Sequence, residues 1–337
     1  MTIQNGKQRI NAFLNHQLVD RIPWVPLAGV HFGKLINCSA RSVLTDTNKL
    51  FESLIAANQE YHPDGLPVYF DIQVEAEILG CDLAWSEYAP PSVKNHPLQN
   101  HHNLPEKLPS KEDGRLPIIL ESMKKVKSQI GETTALFGLV TGPLTIAYHL
   151  RGNALFFDLV DDQKYLKKLL NFTFCVTERI AALYREAGMD VIGIIEPVAS
   201  QISPHTFKEC LLKHFQTLFK GIHISGAHSM LHICGNATQI IELMCQTGAN
   251  ILSLDEMVNL SEIQTFTDQY GVFLQGNIPV TSHLLNGAPE DVSIYVSNLL
   301  KRLPNPKHII LSPGCDLPWH TPVKNVKAAI DIIKSRS

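Results

Sequence analysis

Short apolar runs that alternate with longer amphipathic stretches limit what this chain can fold into more than any other feature. The runs are mostly unbroken, which is typical of strands buried on both faces of a sheet. The stretches between them carry helix signals, such as Pro204 directly after Ser203 or the sequence S-E-I-Q from Ser261, which is typical of a capping box. This alternation predicts right-handed βαβ crossovers and a parallel sheet. Eight such runs occupy residues 23–28, 66–70, 135–140, 191–195, 230–233, 251–254, 272–274 and 308–311.

The predicted fold class is α/β. Eight candidate strands in 337 residues favour a single (β/α)8 TIM barrel over an open doubly wound sheet. No G-x-G-x-x-G sequence follows the first run, which weakens the dinucleotide-binding alternative. We expect one domain over residues 1–337, with an N-terminal helical extension at residues 1–22. The irregular stretch at residues 86–117, after the second predicted strand, is rich in proline and is expected to be a loop insertion.

Composition narrows the class of protein. The 29 basic and 32 acidic residues give a formal charge of -3 without a block of either sign, so we expect no nucleic-acid partner. No apolar run approaches the ~18 residues that cross a bilayer, so we expect no membrane span. The seven cysteines are an odd number scattered along the chain, which favours reduced thiols and a cytoplasmic location. A cytoplasmic enzyme is the expected class.

The sharpest chemical signal is a histidine and two cysteines at the ends of predicted strands. His232 and Cys234 are two residues apart, so their side chains leave the same face, and Cys315 follows the last predicted strand. In a barrel these residues reach the C-terminal rim, where active sites lie. Two thiolates and an imidazole suit tetrahedral Zn²⁺ with a fourth position open. A buried structural cysteine beside a hydrogen-bonded histidine explains the H-x-C pair equally well, and the shared strand-end position favours the metal.

Other polar residues also follow predicted strands. Asp255 and Glu256 follow residues 251–254, and either can supply an oxygen ligand or cap a helix. We rank Asp255 first as the fourth zinc ligand, because Glu256 points to the opposite face if the strand continues. A lone acid at a strand end is costly unless it is paired or binds something. Four residues that follow predicted strands or strand-end motifs, two of them acids, are candidates for lining a substrate site: Asp71, Tyr148, Glu196 and Asn277.

Short motifs are spread nearly end to end along the chain. They are D-R-x-P at residues 20–23, F-D-I at 70–72 with I-L-G at 78–80, G-P-L-T at 142–145 with Tyr148 and Gly152, E-P at 196–197 with I-S-P at 202–204, and G-N at 276–277 with Gly287 and P-E at 289–290. With these motifs the chain resembles the uroporphyrinogen decarboxylase superfamily, and within it the zinc-dependent methylcobalamin:coenzyme M (corrinoid) methyltransferases. The resemblance implies that the chain has the barrel fold of that family.

Two departures separate the subfamilies. The decarboxylases carry arginines after the first strand that bind the substrate's carboxylates, whereas residues 24–32 here contain no arginine. The decarboxylases also have a histidine at the position of Cys315, where the methyltransferases have a cysteine together with H-x-C at the position of His232 and Cys234. Asp71 and Tyr148 do match decarboxylase site residues. A uroporphyrinogen decarboxylase-type lyase of tetrapyrrole (heme) biosynthesis therefore stays open, as does a non-catalytic zinc-binding barrel.

The methyltransferase resemblance implies a reaction and its partners. A thiol, coenzyme M in the methanogen enzymes, takes a methyl group from methylcobalamin or another methylated corrinoid. His232, Cys234 and Cys315 would act through the zinc ion, which lowers the pKa of the bound thiol. We expect no second domain for a corrinoid, so the methyl group would arrive on a separate corrinoid protein or as free methylcobalamin. The sequence does not identify the acceptor thiol.

Overall fold

The fold is built around one parallel sheet. A computed structural model of the chain describes residues 3, 5–101 and 103–335. Its main sheet has seven strands in the order β1-β4-β5-β6-β7-β8-β9, and almost every residue in them is buried, as the unbroken apolar runs predict. These strands are β1 (Gly65–Tyr69), β4 (Ala135–Thr141), β5 (Val191–Ile195), β6 (His228–Ile233), β7 (Ile251–Leu254), β8 (Phe273–Ile278) and β9 (Ile309–Pro313), and β2 (Leu83–Ala84) pairs with β3 (Ser92–Val93) in a separate hairpin.

Helices precede, connect and follow the strands of the main sheet. Pro204 begins a helix with Ser203 as its N-cap, as predicted, but the helix predicted at Ser261 is capped by Asn259. No helix in the described ranges is both long and apolar enough to cross a bilayer. The helices are α1 (Gly6–Leu14), α2 (His31–Lys34), α3 (Ala40–Thr45), α4 (Thr47–Tyr61), α5 (Val74–Ile78), α6 (Leu116–Ile130), α7 (Pro143–Arg151), α8 (Ala154–Asp161), α9 (Gln163–Glu186), α10 (Pro204–Phe207), α11 (Lys213–Ile224), α12 (Ile241–Gln246), α13 (Leu260–Gln269), α14 (Pro289–Arg302) and α15 (Val323–Lys334).

The sheet separates two apolar clusters. The larger cluster fills the space between the strands and the helices. The smaller cluster joins inward positions of the strands, such as Met230, Ile251 and Ile310, to Phe13 of α1. The Phe13 ring lies 4.3 Å from that of Phe273, the first residue of β8. Within the N-terminal extension predicted at residues 1–22, Gly6–Leu14 therefore form a helix, which packs at the amino end of the strands.

The first predicted strand, residues 23–28, is not a strand. Trp24 forms only an isolated bridge with Leu311 of β9. The backbone N–H of Val25 donates to Leu311 at 3.1 Å, and on the other side the N–H of Asp64, next to β1, donates to Trp24 at 2.9 Å. Prolines at positions 23 and 26 have no N–H to donate, so a continuous ladder cannot form. The eight predicted strands are thus seven strands and a short bridge between the two edges of the sheet.

The predicted insertion at residues 86–117 also needs a correction. It contains β3, and its last two residues already belong to α6. In the main sheet it comes after the first strand, β1, and not after the second, because the segment before β1 is a bridge and not a strand. The described remainder of the insertion contains no further strand or helix.

Buried Asp64 holds residues 23–28, the bridging segment, in place. Its carboxylate accepts hydrogen bonds from the guanidinium groups of Arg9 at 2.5 Å and Arg21 at 2.6 Å, and from the backbone N–H of Trp24 at 2.8 Å. Arg9 also binds both carboxylate oxygens of Asp20 at 2.7 Å. The first two residues of the D-R-x-P motif, Asp20 and Arg21, therefore have a structural role.

We expect Asp64→Asn to lower the free energy of unfolding by about 3 kcal/mol, because it leaves buried guanidinium charge without its partner. Chemical denaturation measures this loss. Glu60→Gln is the control: Glu60 pairs with Lys327 at 2.9 Å on the surface, and its loss should cost at most about 1 kcal/mol. Equal effects of the two substitutions would contradict the role assigned to Asp64.

Candidate metal centre

The structure brings His232, Cys234 and Cys315 together at the carboxyl ends of β6 and β9. The Nε2 atom of His232 lies 3.0 Å from the Sγ atom of Cys234, which lies 3.3 Å from the Sγ atom of Cys315. The three ligand atoms are all within 4.8 Å of one another. His232 is fully buried and both cysteines are partly exposed. Within the described ranges, this is the one group of three or more His, Cys, Asp or Glu side chains close enough to share a metal ion.

The backbone around the two cysteines is fixed from several directions. Gly235 follows Cys234 with a φ of 77°, a left-handed conformation that glycine adopts without strain. On the other loop, the N–H of Gly314 donates to Ile278 at 2.9 Å. The N–H of Gly29 donates to the Asp316 carboxylate at 2.9 Å. The bridging segment and its continuation therefore hold the loop that carries Cys315.

The two thiols share one negative charge. The hydrogen bond from Cys234, together with the contact with His232, lowers the pKa of Cys315 to about 4 against the opposing effect of burial. The same hydrogen bond, together with burial, raises the pKa of Cys234. One thiolate is thus stable in this site, whereas a second thiolate would lie beside it in a partly buried position and repel it. A divalent cation would offset the repulsion between the two thiolates.

The donor set fits zinc. Zinc bonds of about 2.0–2.3 Å place two tetrahedral ligands roughly 3.5 Å apart, close to the 3.0 and 3.3 Å between neighbouring ligand atoms here. Two sulfurs and one imidazole nitrogen are a soft-to-borderline set that oxygen-preferring ions such as Mg²⁺ or Ca²⁺ do not favour. A fourth position remains for a substrate atom, as in catalytic rather than structural zinc sites.

The carboxylates of Asp255 and Glu256 lie outside this cluster. Asp255 accepts a hydrogen bond from the backbone N–H of Met257 at 3.0 Å. Glu256 accepts one from the N–H of Val280 at 2.9 Å, and burial raises its pKa. Each acid therefore stabilises a turn at the carboxyl end of β7 or β8, and the assignment of Asp255 as a fourth ligand stays a prediction.

Glu196 and Asn277 are both buried, and their side chains form hydrogen bonds with backbone groups of other segments. The Glu196 carboxylate accepts hydrogen bonds from the N–H groups of Leu144 at 2.9 Å and Thr145 at 2.7 Å, and from the Thr145 hydroxyl. It thus caps the first turn of α7, where the helix dipole favours a negative charge. The Asn277 amide donates to the carbonyls of Asp255 at 2.9 Å and Val258 at 2.7 Å. Their predicted substrate contacts stay predictions beside these structural roles.

Asp71 pairs with a residue that the sequence did not single out. Arg115, from the end of the predicted insertion, donates to the buried Asp71 carboxylate at 2.5 Å and to Glu77 at 2.6 Å. No local sequence signal marks this pair, since the two residues are 44 positions apart. Tyr148 is partly buried, and its hydroxyl lies 3.4 Å from Asn153.

Ser253 is a second residue that the sequence analysis missed. Its hydroxyl lies 3.0 Å from the Nδ1 atom of His232. The available signal was its place on β7, two residues before Asp255 and so on the same face of the strand.

Comparison with known proteins agrees with the fold and with the motifs. Residues 5–336 match the family described as Uroporphyrinogen decarboxylase (URO-D). The methylcobamide:CoM methyltransferase MtbA of Methanosarcina acetivorans is 29% identical over 99% of both chains. A uroporphyrinogen decarboxylase of Wolbachia is 25% identical over 88% of this chain and 85% of its own. Among solved structures, a methyltransferase from Methanosarcina mazei has the same fold, with a TM-score of 0.90, 23% identity and 99% coverage of both chains.

The buried position of Glu196 predicts a pH effect on stability. Burial raises its pKa to about 7 despite the three hydrogen bonds. A carboxyl group with a raised folded pKa stabilises the protein at low pH and loses that contribution as pH rises from about 4.5 to about 7. Glu196→Gln does not ionise, so we expect its deficit in unfolding free energy relative to wild type to shrink by about 3 kcal/mol between pH 4 and pH 8.

Denaturation of both proteins at the two pH values measures the effect, with Glu60→Gln as the surface control for the general drift of stability with pH. A deficit that stays constant or grows at pH 8 would contradict a raised pKa at Glu196.

Proposed function

Because this chain belongs to the uroporphyrinogen decarboxylase family, we propose, within that family, that it is a zinc-dependent methyltransferase that moves a methyl group from a methylated corrinoid to a small thiol such as coenzyme M. The cluster of His232, Cys234 and Cys315 carries this proposal, because such ligands bind a metal that activates thiols. The full-length similarity to MtbA, which is named for transfer between methylcobamide and coenzyme M, supports it.

In this proposal the zinc ligands are His232 through Nε2, Cys234 and Cys315. A zinc ion held there would lower the pKa of a bound thiol, which would release its proton to solvent and present its sulfur as the nucleophilic thiolate. The two cysteinates cancel the charge of the ion, which leaves the substrate sulfur electron-rich. His232 is fully buried and would contribute a neutral donor, whereas Cys234 and Cys315 are partly exposed.

The protein's part in the reaction is to position the two substrates. The thiolate sulfur attacks the methyl carbon in line, the S–C bond forms as the Co–C bond breaks, and both electrons of the broken bond stay on cobalt, which goes from Co(III) to Co(I). No other oxidant or reductant takes part. Positioning of this kind supplies much of the acceleration in a transfer between two bound reactants. We propose a separate corrinoid protein or free methylcobalamin as the donor, and the cytoplasm, where thiols stay reduced, as the location.

We retain Asp255 as the proposed fourth ligand of the resting enzyme. Its backbone follows β7, whose Ser253 contacts His232, so its carboxylate is attached close to the cluster. An exchangeable ligand of this kind is displaced by the softer sulfur of a substrate.

The decarboxylase alternative lacks the charges its substrate needs. A substrate with eight carboxylates requires fixed cations, and the described segment at residues 24–32 offers none. Trp24, Val30 and Phe32 are buried, and burial lowers the pKa of His31 to about 4, so that its ring is neutral at pH 7. Asp71, which matches a decarboxylase site residue, has its carboxylate paired with Arg115.

The purified protein should contain about one zinc ion per chain. Cys234→Ala and Cys315→Ala should each lose most of it, because a site without one of its three strong ligands competes poorly with chelators. Asp255→Ala should keep the metal, and Cys245→Ala, a buried cysteine on α12, is the matched control that should also keep it. Elemental analysis after dialysis measures the content. A folded wild type without zinc would contradict the proposal.

Methylcobalamin should be demethylated in the presence of coenzyme M, with methyl-coenzyme M as the product detected by mass spectrometry. Cys234→Ala should be slower by on the order of 100-fold or more, because it removes a ligand of the activating metal. A panel of other thiols identifies the preferred acceptor. Failure with every thiol, together with formation of coproporphyrinogen from uroporphyrinogen, would replace this proposal by the decarboxylase alternative.

A further inference from the structure

A row of buried polar side chains crosses the inner face of the sheet directly behind the metal centre. It consists of His232 on β6, Ser253 on β7, Gln275 on β8 and Ser312 on β9, all fully buried. His232 is in register with Ser253, and Ser253 with Gln275. Two residues earlier on the same strands stand Met230, Ile251, Phe273 and Ile310, which belong to the apolar cluster inside the sheet.

His232 has a distinct partner on each ring nitrogen. Nε2 faces the Sγ atom of Cys234 at 3.0 Å, and Nδ1 faces the Ser253 hydroxyl at 3.0 Å. A ring nitrogen that binds a metal carries no proton, so the proton of the neutral ring must then sit on the other nitrogen. We propose that Ser253 is a positioning residue of the metal centre, which accepts the Nδ1–H bond of His232 and so fixes the ring with Nε2 toward the metal.

Gln275 completes the arrangement. Once the Ser253 hydroxyl accepts from His232, its own hydrogen needs an acceptor, since buried polar groups are nearly always paired. The Oε1 atom of Gln275, on the neighbouring strand and in register, is buried and has no hydrogen-bond partner among the described residues. Its Nε2 atom donates to Ser312 at 3.4 Å, which keeps the amide within the row. We therefore assign Gln275 as the acceptor for Ser253.

This inference rests on the proposed function, because it gives Ser253 and Gln275 a role only if His232 binds a metal. Hydrogen-bond partners of metal-bound histidines typically change metal affinity by 10–100-fold when they are removed. The effect is on the metal-binding equilibrium itself, so it can be measured without any assay of methyl transfer.

The test is the zinc dissociation constant of the full-length protein, measured by competition with a chromophoric chelator at one pH. We expect Ser253→Ala to bind zinc about 10–100-fold more weakly than wild type and Ser253→Thr, which keeps the hydroxyl, to stay within about threefold. Ser229→Ala is the matched control: Ser229 is an equally buried strand serine on β6, but its hydroxyl contacts His223 and Asn250 away from the cluster. Its zinc affinity should equal that of wild type.

Gln275→Met tests the hydrogen bond assigned between Ser253 and Gln275. It also takes the place of Ser253→Ala if that variant does not fold. It removes the acceptor at similar volume and should weaken zinc binding severalfold. Zinc affinities of Ser253→Ala and Gln275→Met within about twofold of Ser229→Ala would overturn the inference while leaving the proposed function intact. A wild type that binds no zinc would overturn both, so the two failures are distinguishable.

Discussion

The buried carboxylate of Asp64 is the interaction on which the rest of the structure depends. It binds two arginines and the backbone of Trp24, and so holds the bridging segment between β1 and β9, the two edges of the sheet. The chain that continues from this segment supplies Gly29, whose N–H binds Asp316 beside Cys315. The loop with Cys315 is thereby held near Cys234, and the candidate metal centre depends on an ion pair formed well away from it.

At the metal centre, the contacts among His232, Cys234 and Cys315 stabilise one thiolate but not two. Two thiols and an imidazole within 4.8 Å hold one negative charge readily, as the opposite pKa shifts of Cys315 and Cys234 indicate. A divalent cation held by the three side chains would offset the negative charge of a second thiolate. The chemistry proposed for the chain thus follows from which groups the strand ends bring together.

The sequence predicted the family and the sheet well, because unbroken apolar runs and strand-end residues reflect local burial. It also predicted the grouping of His232, Cys234 and Cys315, since parallel strands place their carboxyl ends on one side. It failed at residues 23–28, where prolines at 23 and 26 prevent a ladder, and at Ser261, where Asn259 caps the helix two residues earlier than predicted. Arg115, the charged partner of Asp71, lies 44 residues away, and the backbone partners of Glu196 lie 51 and 52 residues away, beyond the reach of any local pattern.

The most direct test of the central claim is zinc K-edge X-ray absorption of the zinc-loaded protein before and after addition of coenzyme M. The account predicts two sulfur ligands in the resting protein, from Cys234 and Cys315, and three once the thiol has bound. A sulfur count that stays at two with saturating thiol, or a resting site without sulfur, would contradict a metal centre that activates the methyl acceptor.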